Sequence, residues 1–414
     1  MHAASSLPCG SGVNRNVSSL GVLFFFLSLV CSLFAIRGVA ASEATSDVVP
    51  LTLVGDHVFI NVEIGASGPL AFIFDTGAET TVVNSSISAR LGLTSDRRES
   101  VSGAGQSFEV AAIRDVPLKV GETALGEFTV QSADLSHLER SFGARIDGII
   151  GFHLLRKRVI EINYDESAIK IYPPGFEYGG PGKQIRLKRR KLVSMVLTMH
   201  LDDGDPVEDR MVLDTGAGIA MGLSTPFVNK QDLVSRLAAD YSTESLGYSE
   251  KASTIWRTRL PLLEFEGFKF KNVPVSLYQV QDGFFSERKH AGVLGNSVLK
   301  RFNIVFDYAR RRSWWMLNDR FDGVPFTINC SGLSLATDHS LERVLVDRVK
   351  AGSPADAAGL VVGDEVLAVD DIMTGAVPLH VLESRFDRDG ERIQIRFLRD
   401  GEQRDVVLQL VAPY

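Results

Sequence analysis

Apolar and polar residues alternate in short runs from Val48 to Tyr172, and glycines separate the runs. Alternation with a period of two, broken by turn residues, is typical of antiparallel β-strands. Two short helices are predicted within this region, one from Asn84 to Leu91 with Asn84 or Ser85 as its cap, and one directly after Gly151. The pattern predicts a β lobe over residues 48–178.

The same alternation returns from Leu192 to Asn318, with a helical stretch near Thr225 to Asp240, and predicts a second β lobe over residues 192–320. A proline- and glycine-rich connector precedes it, and residues 179–191 are predicted to link the lobes. The basic run from Ile185 to Lys191 is typical of a solvated edge strand or linker, because charged side chains limit pairing at a sheet edge. A processing site or a membrane-surface contact is the alternative.

The last third of the chain has a different pattern, and residues 326–414 are predicted to form a small α+β domain. The strand VLVDRV is followed by a short helix that Ser353 caps, and a turn at Gly363 leads into the strand EVLAVD. A second helix is predicted near Val377 to Phe386, and a hairpin turns at Arg399 to Gly401.

The composition is that of a globular protein: 45% of the 414 residues are hydrophobic and 23% are charged. This length is too great for one core, so two or three domains are expected. The net charge of −7 gives no support to nucleic-acid binding. The eight histidines are scattered without a pair at helical spacing near an acid, so neither a metal site nor a cofactor is predicted.

Residues 1–41 indicate an export signal, because an uninterrupted apolar run from Leu20 to Ile36 is followed by small residues up to Ala41. The run is at the short limit for spanning a bilayer, so an uncleaved anchor is the alternative. Either way, the remaining chain is expected outside the cytoplasm, secreted or periplasmic. Cys330 is the only cysteine after this segment, so no intramolecular disulfide is predicted there.

One short motif occurs twice: FIFDTGAETT from Phe72 to Thr81, and MVLDTGAGIA from Met211 to Ala220. A single Asp-Thr-Gly is often only a turn between two strands. Here an apolar pair closed by glycine follows each copy, at Gly151 and Gly295, and a strand-like run that ends in an aromatic residue and an aspartate comes next. These matched landmarks indicate one duplicated unit.

Two such units have a chemical rationale. Two carboxyl groups within hydrogen-bonding distance cannot both ionise without a large cost, so the pair holds one proton and titrates as a unit. The ionised partner takes a proton from a water between them, while the protonated partner donates to the carbonyl oxygen of the bond under attack. Because the water is the nucleophile, no covalent intermediate is needed, and an amide bond is the natural target.

These motifs resemble those of aspartic proteases. The tandem arrangement is similar to the pepsin family, whereas DTGAETTVV after Phe74 and IIGFHLL after Gly148 are similar to retroviral-type proteases. The resemblance implies a mostly β, bilobal aspartic-protease β-barrel fold followed by the small α+β domain, and it implies peptide or protein substrates. It assigns catalysis to Asp75 and Asp214, and support of the catalytic loops to Thr76, Gly77, Thr215 and Gly216.

Ala78 and Ala217 depart from the pepsin pattern, which has a hydroxyl at this place. Loss of a hydrogen bond to the charged carboxylate favours its protonated form. Activity is therefore expected at mildly acidic to near-neutral pH.

The first lobe also has no tyrosine-glycine hairpin of the pepsin kind. Gly103, Ala104 and Gly105 instead resemble the glycine-rich flap of retroviral proteases, which contacts substrate, although an ordinary hairpin tip has the same composition. Leu246, Gly247 and Tyr248 occupy the comparable place in the second lobe.

The segment from Gly352 to Asp371 resembles a PDZ domain of the bacterial-protease type. PDZ domains add a peptide strand to a sheet edge and hold its terminal carboxylate in backbone amides. The resemblance assigns that loop to four residues, with Ser334 in place of the usual second glycine: Gly332, Leu333, Ser334 and Leu335. A C-terminal peptide is the implied ligand, and a packing module without a ligand is the alternative.

The leading hypothesis is an exported aspartic endopeptidase whose PDZ module recruits or positions substrates. The competing hypothesis is a catalytically idle, exported peptide-binding or scaffold protein, although both lobes keep their aspartate. Duplication within one chain makes a monomer sufficient, because tethered halves have a high effective concentration. Pairing of each lobe with another molecule is a third hypothesis.

Overall fold

Among the residues that the structure describes, ten strands and two short helices form the first lobe. The computed structural model of the protein describes residues 46–95, 97–104, 107–151, 157–189, 192–201, 204–239, 241–245 and 253–414. The strands are β1 Asp47–Val54, β2 His57–Ile64, β3 Leu70–Phe74, β4 Val82–Asn84, β5 Arg98–Ser102, β6 Ser107–Val120, β7 Thr123–Ala133, β8 Gly148–Ile150, β9 Val159–Asn163 and β10 Ala168–Ile171; the helices are α1 Ser85–Arg90 and α2 Ser136–Phe142.

The second lobe has the same kinds of element. Its strands are β11 Lys183–Arg186, β12 Lys188–Arg189, β13 Val193–His200, β14 Val207–Asp214, β15 Met221–Leu223, β16 Tyr241–Ser245, β17 Ser253–Phe265, β18 Phe268–Tyr278, β19 Gly292–Gly295, β20 Phe302–Asp307 and β21 Arg312–Leu317. Its helices are α3 Thr225–Lys230, α4 Leu233–Arg236 and α5 Asn296–Leu299, with a 3₁₀ turn at Phe284–Ser286.

Each lobe closes its strands into a ring with the same order of pairing. In the first lobe the order is β2, β3, β8, β4, β7 and β6, and β6 pairs again with β2. In the second it is β13, β14, β19, β15, β18 and β17, and β17 pairs again with β13. In both rings, the strand that leads into the Asp-Thr-Gly motif runs parallel to a strand that ends next to or at the predicted glycine landmark: β8 ends directly before Gly151, and β19 ends at Gly295. The fold is therefore a duplicated, mostly β architecture, as the sequence predicts.

A sheet shared by both lobes joins them, in the order β1, β10, β9, β20, β21 and β11. At its centre, β9 pairs with β20 in antiparallel register, with Ile162 opposite Ile304. Strands β11 and β12 lie within the predicted linker, and β11 is an edge strand, in agreement with its basic sequence. One apolar core extends through both lobes and includes the buried side chains of Phe74, Phe302 and Trp315.

The C-terminal domain has its own sheet and its own core. Its strands are β22 Leu333–Thr337, β23 Val344–Val349, β24 Glu365–Val369, β25 Ile372–Met373, β26 Arg392–Arg399 and β27 Glu402–Gln409; its helices are α6 Pro354–Ala357 and α7 Leu379–Glu383, and a 3₁₀ turn spans Ser384–Asp387. The strand order is β22, β23, β24, β26 and β27, with β25 paired to β24. Leu382, Phe386 and Ile395 are fully buried in this core.

The predicted helices that fall on described residues are present but shorter than expected. Asn84 caps α1, because its side chain accepts a hydrogen bond from the N–H of Ser86 at 3.4 Å, and Ser353 caps α6 in the same way. The predicted helix near Thr225 to Asp240 is two helices, α3 and α4. The helix predicted after Gly151 and the predicted export signal lie outside the described residues.

Candidate active site

Two apolar strands bring the Asp-Thr-Gly motifs to the middle of the molecule. Strand β3 pairs in parallel with β8, with Phe72 opposite Gly148, and β14 pairs in parallel with β19, with Met211 opposite Gly292. Parallel strands inside a fold are covered on both faces, which explains why these runs are apolar at successive positions. Asp75 directly follows β3, and Asp214 is the last residue of β14.

The glycine landmarks allow close contact between backbone segments. A Cβ atom on Gly151 would lie 2.0 Å from the carbonyl oxygen of Thr80, and one on Gly295 would lie 2.1 Å from the carbonyl oxygen of Ile219. Both contacts are too short for any side chain. Each glycine therefore permits the loop after its motif to pack against the neighbouring strand.

Thr76 and Thr215 brace the two loops. The N–H of Thr76 donates to the hydroxyl of Thr215 at 3.1 Å, and the N–H of Thr215 donates to the hydroxyl of Thr76 at the same distance. Each hydroxyl donates in turn across the interface, Thr76 to the carbonyl of Leu213 at 2.8 Å and Thr215 to the carbonyl of Phe74 at 2.7 Å. Both side chains are fully buried. The arrangement ties the end of each apolar strand to the opposite lobe.

The carboxyl groups of Asp75 and Asp214 meet between these loops and hydrogen bond to each other. The N–H of Gly77 donates to Asp75 Oδ1 at 2.7 Å, and the N–H of Gly216 donates to Asp214 Oδ1 at 3.0 Å. Burial raises the pKa of Asp214 well above its ordinary value, and the nearby charge of Asp75 raises it further. The pair is therefore held in the form with one proton between two carboxyl groups.

The glycines of the two loops lie directly against the opposite carboxyl groups. A Cβ on Gly77 would lie 2.4 Å from Asp214 Cγ, and a Cβ on Gly216 would lie 2.3 Å from Asp75 Cγ. The structure thus brings together all six residues that the resemblance assigns to the catalytic loops. A carboxyl pair of this kind can accept a proton from a water and donate one to a carbonyl oxygen.

The predicted flap reaches the second lobe. Strands β5 and β6 form its two arms, and the carbonyl oxygens of Gly103 and Ala104 accept hydrogen bonds from the N–H groups of Phe284, at 2.8 Å, and Phe285, at 3.1 Å. Behind the tip, the N–H and the hydroxyl of Ser107 donate to the carboxylate of Asp282 at 2.8 and 3.0 Å. Gly105 and the second-lobe segment at residues 246–248 lie outside the described residues.

The predicted carboxylate loop of the C-terminal domain lies at the start of the edge strand β22. Its amides are engaged within the chain: the N–H of Gly332 donates to Asn329 Oδ1 at 3.1 Å, and the N–H of Leu333 donates to Ser331 Oγ at 2.9 Å. The N–H of Leu335 donates to the carboxylate of Glu383. In this state, nearby side chains of the same chain accept the hydrogen bonds of the loop amides.

The sequence gives no signal for one histidine beside the second catalytic loop. His57 lies against Gly218, because a Cβ on Gly218 would be 2.5 Å from His57 Cε1, and its ring contacts that of Phe142 at 4.3 Å between centroids. Burial lowers the pKa of His57 to about 4, so the ring is neutral at physiological pH. A lone histidine after a turn belongs to no sequence motif that could predict its position beside the catalytic loop.

A polar bridge between the lobes is a second feature that the sequence does not reveal. The Lys300 ammonium donates to Asp56 Oδ1 at 2.6 Å, and Asn296 Nδ2 donates to the carbonyl of Asp56 at 2.8 Å. The Tyr164 hydroxyl donates to Asn296 Oδ1 at 2.5 Å. Asn296 directly follows the landmark Gly295, so the second loop is tied to the first lobe from behind.

The described part of the chain shows neither a metal-binding cluster nor a membrane-spanning helix. Among those residues, no group of three histidine, cysteine, aspartate or glutamate side chains is arranged to hold a metal ion. No helix within the same residues has the length and apolar character needed to cross a membrane.

Comparison with known families agrees with this geometry. Residues 60–154 match the family model described as aspartyl protease, and residues 323–410 match the one described as PDZ domain. A search of curated proteins finds no match to the chain. The first match contains Asp75, while the likeness of the second lobe rests on the repeated strand order and loop contacts. The chain therefore combines an aspartyl protease domain with a C-terminal PDZ domain.

Proposed function

We propose that the protein is an aspartic endopeptidase that hydrolyses peptide bonds with a water activated between Asp75 and Asp214. The observation on which this depends is the hydrogen-bonded pair of carboxyl groups, in which burial and the charge of Asp75 raise the pKa of Asp214. One partner then acts as the general base toward the water, and the protonated partner as the general acid toward the carbonyl oxygen. The brace between Thr76 and Thr215 supports the proposal, because it holds both carboxyl groups in place before substrate binds.

The flap supports a cleft that encloses an extended peptide. Its tip lies on the second lobe, so a substrate between the lobes would be covered by the segment around Gly103 and Ala104. Exclusion of water strengthens electrostatic interactions with the carbonyl under attack. Because one chain supplies both aspartates, we propose a monomer as the active form.

Single substitution of each aspartate tests the proposed activity. Asp75→Asn and Asp214→Asn should each abolish cleavage of a denatured protein substrate, because an amide cannot share the proton. Asp205→Asn, the same change at an exposed position, should cleave at the wild-type rate. A peptidic inhibitor with a hydroxyl at the scissile position should bind wild type. Full activity in either catalytic variant would refute the shared pair, and a wild-type protein that binds peptides without cleaving them would leave the idle scaffold as the function.

We also propose that the chain acts outside the cytoplasm. The support is the apolar run from Leu20 to Ile36 and the small residues that follow it. Fractionation of expressing cells and N-terminal sequencing test this: a mature protein that begins at Ser42 is expected for a cleaved signal. An intact N-terminus in the membrane fraction would indicate an anchor, and an intact N-terminus in the cytoplasmic fraction would refute export.

The role of the PDZ domain is proposed to be the recruitment or positioning of peptide or protein substrates. PDZ domains bind peptides at a sheet edge, and β22 is such an edge. Deletion of residues 323–414 should leave cleavage of short peptides nearly unchanged but slow the cleavage of selected protein substrates. Equal losses on both kinds of substrate would show that the domain has only a structural role.

A further inference from the structure

Among the residues that the structure describes, the edge strand β22 of the PDZ domain pairs only with β23. Several backbone groups on its outer side are nevertheless occupied. On the outer side, the N–H of Leu333 donates to Ser331 Oγ at 2.9 Å, and its carbonyl accepts from Asn329 Nδ2 at 2.8 Å. The N–H of Leu335 donates to Glu383 on α7. Three of the backbone groups with which a peptide strand would pair are thus satisfied by side chains of the same chain.

Helix α2 of the first lobe packs on the same strand and occupies one further backbone group. Arg140 Nε donates to the carbonyl of Thr337 at 3.1 Å, and the Thr337 hydroxyl donates to the carbonyl of Arg140 at 3.2 Å. Gly143, at the end of the helix, lies against α7: a Cβ there would be 2.7 Å from Leu379 Cβ and 3.3 Å from Thr337 Cγ2. Helix α2 therefore contacts both walls of the groove between β22 and α7.

The helix itself is firmly part of the protease lobe. Leu138 is buried in a cluster with Phe59 and Ile149, and Glu139 Oε1 accepts from the N–H of Ile146 at 3.0 Å. The helix cannot leave the groove without disrupting the lobe. Opening of the groove therefore requires the PDZ domain to move away as a unit.

We propose that helix α2 is an internal ligand of the PDZ groove, so that a peptide with a free C-terminal carboxylate binds only when the PDZ domain leaves the first lobe. The peptide adds to the edge of β22 and takes the place of Arg140 at Thr337. Its carboxylate displaces the side chains that now accept from the loop amides. Peptide binding and docking of the PDZ domain on the first lobe are mutually exclusive. The apparent affinity for peptide therefore equals the intrinsic affinity of the open groove multiplied by the fraction of undocked molecules. This proposal concerns binding alone and does not depend on the proteolytic activity.

Gly143→Asn tests the proposal with little strain on the protease lobe. Gly143 has a φ of 58°, and asparagine is the residue other than glycine that best tolerates this conformation. Its Cβ would collide with Leu379 and with nothing required for the helix. Arg140→Glu, which removes the donor to Thr337, is an independent second variant. Arg90→Glu, the same charge change on an exposed residue of α1, is the matched control.

The probe is a fluorescein-labelled pool of random octapeptides with a C-terminal valine, either as the free carboxylate or as the amide. Binding is measured by anisotropy on the full chain in an Asp75→Asn background, so that the probe is not cleaved. Both docking variants should bind the carboxylate pool at least about tenfold more tightly than the parent, since loss of the contacts populates the free groove. Arg90→Glu should match the parent, and the amide pool should bind none of them.

Hydrogen exchange supplies a readout that needs no ligand. Amides of α2 should exchange faster in both docking variants and in the parent saturated with peptide, because each loses the contact with β22, while those of β26 in the PDZ core remain protected. Equal peptide affinity of parent and variants would overturn the proposal. Peptide binding to the parent without faster exchange at α2 would overturn it as well, and so would failure of the variants to bind the carboxylate pool while β26 stays protected.

Discussion

Thr76 and Thr215 exchange hydrogen bonds in both directions: the N–H of each residue donates to the hydroxyl of the other at 3.1 Å. The pair connects segments that are far apart in sequence, and each hydroxyl also donates to a carbonyl at the end of the opposite apolar strand. The position of one aspartate relative to the other therefore depends on these two side chains.

Thr215→Val should destabilise the protein and reduce its activity. Valine has the same shape but leaves the N–H of Thr76 and the carbonyl of Phe74 buried without their partner, which should lower the free energy of unfolding by about 2–4 kcal/mol. Thr215→Ser keeps the hydroxyl and should lie within about 1 kcal/mol of wild type. Urea unfolding and kcat/KM on a fluorogenic peptide check this. A valine variant with wild-type stability would show that the brace is not needed.

Gly216→Ala should reduce kcat/KM by about a hundredfold or more. The new methyl group would lie 2.3 Å from Asp75 Cγ, so the carboxyl pair must separate, and small misplacements of reacting groups have effects of this size. Gly179→Ala is the matched control, because a Cβ at Gly179 meets nothing within 4 Å. Steady-state cleavage of one peptide by both variants is sufficient. Equal rates would mean that the loop can move without disturbing the pair.

Local sequence pattern is sufficient to predict the elements around the site. The apolar runs before Asp75 and Asp214 become central strands because parallel strands are buried on both faces. The glycines at 151 and 295 are informative because no other residue fits the contact that each makes. The duplication can be predicted because both lobes repeat these requirements in the same order.

Contacts between distant segments have no such local signal. The packing of His57 on Gly218 depends on how the two lobes pack together. Asp282 looks like an ordinary turn residue in the sequence, and only its contact with Ser107 of the flap distinguishes it. The PDZ loop is similar, because Asn329 and Ser331 look like turn formers in the sequence, although their side chains occupy the amides predicted to hold a carboxylate. Such contacts depend on tertiary geometry rather than on residue pattern.

The titration of Asp214 predicts a pH-dependent difference in stability between wild type and Asp214→Asn. The pKa of Asp214 is raised, chiefly by burial, so the folded state holds a proton that the unfolded state releases above the ordinary pKa near 3.8. Wild-type stability should therefore fall as pH rises from about 4 toward the raised pKa, by at most about 1.4 kcal/mol per pH unit. The asparagine variant lacks this titration.

The difference between the melting temperature of Asp214→Asn and that of wild type should thus be small at pH 4 and larger, in favour of the variant, at pH 7. Thermal unfolding of both proteins across this range measures it, and Asp205→Asn, an exposed position, should show no such trend. An advantage that shrinks with rising pH would contradict the raised pKa. The same shift keeps the shared proton in place at higher pH, in line with the activity expected at mildly acidic to near-neutral pH.

Asp282→Ala should weaken substrate binding by releasing the flap. Its carboxylate accepts from both the N–H and the hydroxyl of Ser107, at 2.8 and 3.0 Å, next to the contact between the flap tip and Phe284. Hydrogen bonds from the N–H groups of Ser107 and Gly283 lower the pKa of Asp282, so it stays ionised at mildly acidic pH. With fewer molecules in the closed form, KM should rise about threefold while kcat changes little.

Ser107→Ala distinguishes loss of the contact between Ser107 and Asp282 from a general effect of Asp282→Ala on the second lobe. It removes only the hydroxyl donor, so its effect on KM should be smaller than that of Asp282→Ala, and the double variant should be no worse than Asp282→Ala alone, because both changes act on one contact. Asp319→Ala, at an exposed aspartate away from the flap, is the control and should retain the wild-type KM. Additive effects of the two substitutions on KM would mean that Asp282 affects substrate binding by a route other than its contact with Ser107. An unchanged KM in Asp282→Ala would mean that the tip contacts at Gly103 and Ala104 are enough to close the flap.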